Sequence, residues 1–405
     1  MKRLFAFIVL FVIGLSAMAQ NSTQGREFWF SFMKNGYDAN GEEWVNLQVM
    51  ISAKRACSGI VSNPRTPWSR TFTVDDEGVV TLQIPESVGY DPDNGAPSDF
   101  GLLLVATDTV SVYTANCATN SFDASFVLPT ESLGSEYILQ CDNQSRTQSV
   151  FAFPRMETSA FLIVATEDNT EVDIIPSVTT LDGHQAGVAY GITLDRGQSY
   201  AMRSNNNTRY RDLSGTLVSA RDNKRIAVFN GNTLTAIPNS CGGGHDHIFE
   251  QALPVSTWGR QFAITSSRGR TRDKVKITAS TNNDTIWCNG QRLAVVDAGQ
   301  SHEFWIYSAP MGANLISGGS CFVETSQPSM VYLYNTTSDD PEAQSHEDGD
   351  PSMVWIPPIE QKIDEITFCT FNHLNATIDS HYVNIVVETS SVNGVYLDGN
   401  QLAAN

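Results

Sequence analysis

The stretch GGGHDHIFEQALPVSTWGRQFAI, residues 242–264, contains the pattern around which the rest of the chain is arranged. Its centre is a Leu-Pro pair at 253–254, with a glycine five residues after the proline and an aromatic residue three positions beyond that glycine. The same spacing follows the Leu-Pro pair at 128–129, and a weaker copy begins with Ile-Pro-Pro at 356–358. A pattern that recurs in this way predicts repeated structural units, and we interpret the Leu-Pro segment as the joint between them.

The first 19 residues have the composition of a secretory signal peptide. Lys2 and Arg3 give a basic start, the apolar run 4–15 is too short to remain across a bilayer, and the small residues at 17–19 predict cleavage before Gln20. No cysteine stands directly after the cleavage site, as a bacterial lipid anchor would require. No later segment reaches the roughly 20 apolar residues of a membrane helix. We therefore predict an exported chain with no membrane span, secreted or at a cell surface, with the periplasm as an alternative. The short leader suits a bacterial protein.

The formal net charge of −19 argues against binding to nucleic acid or to anionic lipid, because both carry the same sign of charge. The hydrophobic fraction of 41% is that of a globular protein and allows a substantial core. A chain of 405 residues has room for about two to four domains.

The secondary-structure pattern is β almost throughout. Short runs of branched and aromatic residues end at Gly, Asn, Asp or Pro, and no stretch keeps a helical apolar period for three turns. We predict an all-β fold of tandem repeated antiparallel β-sandwich-like units. The predicted strands are 45–52, 79–84, 102–106, 110–114, 161–166, 172–175, 226–230, 275–279, 303–307, 330–335 and 383–387.

Internal similarity supports the repeats. Residues 163–169 match 277–283 as a strand that ends in an Asx turn, and both copies then reach an Asp-x-Gly-Gln-Ser turn at 195–199 and 297–301. Near the start, GREF at 25–28 repeats the GRQF that follows the central Leu-Pro pair.

These matches divide the chain into four predicted units after the leader 1–19. Unit 1 is 20–127, unit 2 is 128–252, unit 3 is 253–355 and unit 4 is 356–405. The fourth unit repeats only the opening of the pattern, since 397–402 copies 288–293 and the chain then stops. Half a sandwich leaves open strand edges, so we expect this chain to be a fragment or to be completed by a neighbour.

The seven cysteines follow this division, and an exported chain favours disulfides. Six of them fall two to a unit, which makes pairing within units the favoured hypothesis, with buried free thiols as the alternative. Cys369 is alone in unit 4. The candidate pairs are Cys57 with Cys117, Cys141 with Cys241, and Cys288 with Cys321.

Two segments contain weak metal-site candidates, although no cofactor is expected. His245, Asp246 and His247 place two imidazoles at i and i+2 on a strand, a geometry suited to Zn²⁺, but hydrogen bonding at the unit joint is the simpler interpretation. The acidic loop 339–350 offers carboxylates for Ca²⁺, against the alternative of a solvated loop. Its candidate ligands are Asp339, Asp340, Asp348 and Asp350.

No catalytic signature is present. The chain lacks G-x-S-x-G, H-E-x-x-H and a phosphate-binding glycine loop, so we predict that it is not an enzyme. Trp68, Tyr90 and Trp305 are candidates for stacking on sugar rings, although core packing is the more usual role of such residues.

Two longer segments resemble the signature of the IgGFc-binding protein N-terminal domain family. They are DHIFEQ with LPVSTWG at 246–259, and GDPSM with IPPIEQ at 349–361, and the resemblance is clearest over about 125–400. It implies an extracellular, mostly β module found in mucus-associated animal proteins and large exported bacterial proteins, and first named for binding the Fc part of IgG. The motif residues here are Asp246, His247, Glu250, Gln251, Pro254, Trp258, Gly259, Gly349, Asp350, Pro351, Pro357, Pro358, Glu360 and Gln361.

The sequence therefore predicts a non-catalytic secreted or surface module that binds an extracellular protein or glycan, such as a host glycoprotein or mucus. A carbohydrate-binding or glycan-processing protein is one alternative, and a structural spacer in a larger surface protein is another. The oligomeric state is not specified by any feature of the sequence.

Overall fold

The regular secondary structure of the computed structural model is mostly antiparallel β-strand, as predicted. It describes residues 22–36, 45–93, 95–118, 121–143, 158–205, 211–241, 244–310, 316–342, 349–366, 368, 370 and 381–402. Within these ranges no helix is long and apolar enough to cross a membrane.

Unit 1 forms a seven-stranded sheet organised on one long strand, β6. The first half of β6 pairs with β1 and β3, and its second half pairs with β2 and β7. The predicted strands 102–106 and 110–114 are therefore the two halves of one element. The elements are β1 (Gln24–Phe30), β2 (Val45–Ala53), β3 (Cys57–Ser62), β4 (Ser69–Val74), β5 (Gly78–Ile84), the short helix α1 (Glu86–Gly89), β6 (Leu102–Ala118) and β7 (Ser121–Val127).

Unit 2 is a sandwich of two four-stranded sheets, in the orders β11-β10-β13-β8 and β12-β9-β14-β15. Its strands are β8 (Glu136–Ile138), β9 (Ser159–Ala165), β10 (Thr170–Ile175), β11 (Tyr190–Leu194), β12 (Ser199–Arg203), β13 (Leu217–Ala220), β14 (Ile226–Thr235) and β15 (Asp246–Gln251). Strand β9 is buried along its whole length because its two faces enter different cores. That burial explains its continuous apolar sequence.

Unit 3 repeats the plan of unit 1 around the long strand β22. Strand β16 pairs with β22 as β1 pairs with β6, and both pairs have an irregular register directly after the glycine of the GREF or GRQF motif. The strands are β16 (Gly259–Thr265), β17 (Arg272–Ala279), β18 (Asp284–Cys288), β19 (Gln291–Val296), β20 (Ser301–Tyr307), β21 (Ile316–Ser317), β22 (Ser320–Asn335) and β23 (Met353–Trp355).

The two Asp-x-Gly-Gln-Ser turns have the same hydrogen bonds. In each copy the asparagine of the preceding turn donates its N–H to the Asp carboxylate, at 3.1 and 3.0 Å. The Asp N–H donates to the Gln side-chain oxygen at 2.9 and 3.2 Å, and the glycine has a φ of 79° or 74°. The sequence repeat is therefore a structural repeat, and its glycine is required by the left-handed backbone.

Unit 4 is only partly as predicted. The hairpin of β24 (Tyr396–Leu397) and β25 (Asn400–Gln401) turns at Asp398 and Gly399, with the same positive φ values as the turn between β18 and β19. The strand predicted at 383–387 is not formed, since 381–388 has no regular structure and is exposed. Backbone donors and acceptors without a neighbouring strand have no ladder to join.

The hydrophobic core crosses the unit boundaries. One buried cluster joins Trp29 of unit 1, Phe249 of unit 2 and Tyr332 of unit 3, while units 2 and 3 also have smaller cores of their own. Since apolar burial is the main stabilising contribution to folding, neighbouring units depend on each other for stability.

Candidate functional site

Each Leu-Pro joint places its proline against a glycine in the first segment of the preceding unit. A Cβ built on Gly25, Gly134 or Gly259 would lie 2.4, 2.5 or 2.2 Å from the proline Cβ. The three prolines are Pro129, Pro254 and Pro358. Real Cβ atoms do not approach so closely, so only glycine fits. This contact explains why the sequence repeat contains both residues.

Every joint proline is followed by one turn of 3₁₀ helix. These turns are Thr130–Ser132, Val255–Thr257 and Ile359–Gln361. The prolines have φ values between −56° and −68°, which is the range that the pyrrolidine ring imposes. In the last joint, Glu360 accepts a hydrogen bond from the Arg260 N–H at 2.9 Å, and Gln361 donates one to the Thr257 carbonyl. The motif residues Glu360 and Gln361 thus close unit 3.

The central motif forms a second structure, which we call the polar seam. It consists of β15 and the facing side chains of β7, Ser121, Asp123 and Ser125. These three side chains accept the backbone N–H groups of residues 247, 249 and 251 at 3.0, 2.8 and 2.8 Å. In return, Asp246 accepts the Phe122 N–H at 3.0 Å. Side chains of unit 1 therefore satisfy the edge strand of the unit 2 sheet, without a β-ladder between them.

Both ring nitrogens of His247 have protein partners in the seam. Nδ1 lies 2.8 Å from the Asn232 carbonyl, and Nε2 lies 3.3 Å from the Asn116 side-chain amide. Nδ1–H therefore donates, and Nε2 accepts from the amide. Burial lowers the pKa of His247 to about 4, so the ring is neutral at physiological pH. The histidine therefore takes part in the hydrogen bonding at the unit joint.

The seam also contains three buried carboxyl groups. Burial raises the pKa of Glu250 to about 8 and moves the pKa values of Asp123 and Asp246 well above their usual range. Ser125 Oγ lies 2.8 Å from both Glu250 Oε2 and the Phe126 carbonyl. The Ser125 hydroxyl has one proton and cannot donate to both oxygens. It therefore donates to the Phe126 carbonyl, and a protonated Glu250 donates to Ser125 Oγ.

Perturbed carboxyls often mark active sites, but these have structural partners. Each is hydrogen-bonded to a backbone N–H or a serine at the boundary of the two units, and each is buried. Gln251 accepts from the Leu128 N–H, and Trp258 Nε1 donates to the Leu253 carbonyl at 3.2 Å. The signature residues thus build the scaffold.

The acidic candidates for a metal site are dispersed. Asp340 forms a bidentate ion pair with Arg272 at 2.8 and 2.9 Å, and Asp339 is exposed. Asp350 is near enough to Asp246 to raise its pKa further, and Asp348 lies outside the described residues. Among the residues that the structure describes, no three His, Cys, Asp or Glu side chains form a group able to hold a metal.

One of the three predicted disulfide pairs is separated. Cys57 lies beside Asp108 at the middle of β6, whereas Cys117 lies at the far end of that strand, about 30 Å along the chain. The pairing of Cys57 with Cys117 is wrong, because sequence position did not reveal which end of a strand each cysteine occupies. The Cys141 thiol donates to the Ala160 carbonyl in the unit 2 core, Cys241 lies near Asp340, and the pairing of these two cysteines stays a prediction.

The third pair is in contact. The thiols of Cys288 and Cys321 hydrogen-bond to each other, and both residues are buried. All six cysteines in the described part of the chain are free thiols in this structure. Cys369 lies outside the described residues.

The aromatic candidates for sugar binding belong to the core. Tyr90 is 8% exposed, and its hydroxyl accepts the Asn35 N–H at 2.8 Å. Trp68 and Trp305 are partly buried against the main cluster, and the Arg272 guanidinium lies 4.1 Å from the Trp305 ring centroid. Core packing, the more usual role, is what the structure shows.

Sequence patterns missed a buried charged cluster between units 2 and 3. Lys274 and Lys276 of β17 are 4% and 2% exposed and form ion pairs with Asp142 and Asp212 of unit 2. Two lysines alternating with Val275 in an apolar strand were the available signal. Lysines in a strand are normally exposed to solvent, so the sequence pattern alone does not show that these two are buried.

Comparison with known proteins identifies a family that matches most of the chain. The profile of the family described as IgGFc binding protein matches residues 123–405, which includes β15 and the motif segments at 246–259 and 349–361. The chain belongs to the IgGFc-binding protein family. This is a family of binding proteins, and its match begins within the last strand of unit 1.

A human relative of this IgGFc-binding family member is the IgGFc-binding protein of Homo sapiens. The two are 22% identical over 391 residues, which is 95% of this chain and 6% of the human protein. Solved structures give only weak similarity. An anti-sigma factor domain-containing protein has a TM-score of 0.14 at 10% identity, covering 74% of this chain and 98% of its own. A bacterial ice-binding adhesin has 0.13 at 9%, covering 80% and 93%.

Proposed function

We propose that this chain is a non-catalytic, extracellular binding module that contacts a glycoprotein at a host or cell surface. Membership of the IgGFc-binding family carries the proposal, since its profile matches 123–405. The predicted leader and the acidic net charge of −19 support an exported protein whose partners are not nucleic acids.

The placement of the signature residues indicates where a partner would bind. Asp246, His247 and Glu250 are all buried between units 1 and 2, so they are inaccessible to a macromolecular partner. Their role is to hold the units in a fixed arrangement. We therefore infer that a partner contacts the loops and the exposed strand faces of the joined units. These parts of a β-sandwich can vary in sequence without loss of the scaffold.

Binding assays on the purified chain test this proposal. We would immobilise IgG Fc, IgG Fab, a mucin and a glycan array, and measure binding of protein whose fold has been verified by circular dichroism. Saturable binding to Fc but not Fab, or to the mucin, supports a glycoprotein-binding module. Folded protein that binds none of these surfaces contradicts the proposal.

A structural spacer is the second candidate, favoured by the core that joins units 1, 2 and 3. Units that share apolar packing hold each other in a fixed arrangement, as a spacer requires. Force spectroscopy distinguishes the two roles when it is combined with the binding assay. High resistance to extension with no binding on any surface favours the spacer, whereas specific binding favours the module.

A further inference from the structure

The charged cluster between units 2 and 3 contains lysine amines next to carboxyl groups, which are able to condense with each other. We call it the lysine cluster. Its buried members are Lys274 and Lys276 on β17 and Asp142 of unit 2, while Asp212 of unit 2 is partly buried and the Glu303 side chain on β20 is 36% exposed. Glu303 lies directly opposite Lys276 in the ladder between β17 and β20. Since residues i and i+2 of a strand share a face, both lysines point towards unit 2, while the intervening Val275 enters the unit 3 core.

The two lysines are held differently. Lys276 Nζ donates to Ser214 Oγ at 2.8 Å and to the Cys141 carbonyl at 3.1 Å, and it pairs with Asp212 at 2.5 Å and Glu303 at 3.3 Å. These contacts satisfy all the donors of an ammonium group. Lys276 therefore remains charged. Burial by itself lowers its pKa, but the acidic neighbours outweigh this effect, and the pKa of Lys276 is raised.

Lys274 is held by a different set of contacts. Its Nζ hydrogen-bonds to Asp142 Oδ1, lies 3.9 Å from Glu303 Oε2, and sits 5.0 Å from the ring centroid of Tyr334. Asp142 is fully buried, and the Asn239 side-chain amide is 3.5 Å from its other oxygen. An amine that hydrogen-bonds to a carboxyl oxygen is close to the carboxyl carbon, and such proximity favours acyl substitution.

We propose that Lys274 and Asp142 become joined by an intramolecular isopeptide bond, which links unit 2 covalently to unit 3. Lys274 Nζ attacks Cγ of Asp142, a C–N bond forms, and one carboxyl oxygen leaves as water. An ammonium and a carboxylate together become a neutral amide and water, so atoms and charge balance, and no oxidant or external reactant is needed. The lysine ammonium gives up two protons. One passes through the hydrogen bond to the Asp142 carboxyl, and Glu303 accepts the other and returns it to the departing oxygen, which leaves as water.

Burial provides the driving force for this reaction. A buried ion pair loses the hydration of both charges, whereas an amide in the same place has no net charge to desolvate. Burial also raises the pKa of Asp142, which favours the protonated carboxyl that condensation requires. Holding the two groups together replaces a bimolecular encounter with a unimolecular step.

Intact mass spectrometry of the purified full chain under denaturing conditions tests the proposal. We expect the protein to be lighter than its own sequence by the mass of one water, and a protease digest to contain the peptides of Asp142 and Lys274 as a linked pair. The Lys274→Arg variant, which retains the positive charge, should have its full sequence mass. Glu303→Gln should accumulate unlinked chains, because the proton carrier is removed.

Lys276→Arg is the matched control, since it changes the neighbouring lysine on the same face of β17. It should retain the loss of one water. Folded wild-type protein at its full sequence mass overturns the proposal and leaves Lys274 and Asp142 as an ion pair. A loss of water that maps to a single peptide, as in a cyclic imide, also overturns it. If Lys274→Arg does not fold, the wild-type linked peptide and the Glu303→Gln mass still decide the result.

Discussion

Pro254 lies so close to Gly134 that a Cβ on the glycine would come within 2.5 Å of the proline Cβ. The two residues belong to neighbouring predicted units, and the same contact recurs at the joints before and after this one. The contact is steric, since the backbone at Gly134 is not in the left-handed region. It therefore provides a direct test of the joint.

We expect Gly134→Ala to lower the free energy of unfolding by about 1–3 kcal/mol, because the added methyl forces the joint apart. Urea denaturation followed by tryptophan fluorescence measures the change. Gly394→Ala is the matched control, because no atom lies within 4 Å of a Cβ at that position. An equal effect of the two substitutions would show that the Pro254 contact is unimportant.

The seam should make stability depend on pH. Glu250 has a pKa of about 8 in the folded chain against about 4.5 when unfolded, so the folded state binds the proton more tightly. Its contribution is therefore greatest below pH 4.5 and is lost as pH rises through 8. Asp123 and Asp246 act in the same direction. His247, with its pKa lowered to about 4, has the opposite effect between about pH 4 and 6.5.

We therefore expect the free energy of unfolding to fall between pH 6.5 and 8, where the carboxyls titrate without opposition from His247. Glu250→Gln should reduce this fall by up to about 2 kcal/mol, since its amide can still donate to Ser125. Denaturation curves at several pH values measure the slope. The exposed Glu136→Gln serves as control, and a slope unchanged by Glu250→Gln would contradict the assignment.

Cys288 and Cys321 should form a disulfide when the chain is exported. Their hydrogen bond lowers the pKa of Cys288, which favours the thiolate that attacks a small-molecule disulfide such as oxidised glutathione. Closing this loop should add about 2–4 kcal/mol to the free energy of unfolding. Non-reducing peptide mapping detects the bond, and a Cys57→Ser variant should retain it. Alkylation of both thiols in unreduced, denatured protein would contradict the prediction.

Lys276→Met should lower the free energy of unfolding by about 3–5 kcal/mol, because Asp212 would be left near a buried apolar side chain without its cation. The control is Lys54→Met, whose partner Glu365 is on the surface and whose loss should have no measurable effect. Thermal denaturation of both variants provides the comparison. Similar melting temperatures for the two would show that the lysine cluster is dispensable.

The sequence by itself determined the all-β class, the repeat and the positions of the joints. Short apolar runs between turn residues reflect local backbone preferences. The Gly, Pro and Asp-x-Gly-Gln-Ser positions recur because each of these residues favours the local backbone conformation that its position requires. The family signature was also visible, since it is a contiguous run of residues at 246–259.

Only the tertiary structure decided what those residues do. It placed β7 along the edge of β15, separated Cys57 from Cys117, and brought Lys274 of unit 3 to Asp142 of unit 2. Each result depends on which strands become neighbours, and alternation along a strand specifies only the face on which a side chain lies. The partner across a unit boundary, more than 100 residues away, is set by packing of the whole chain.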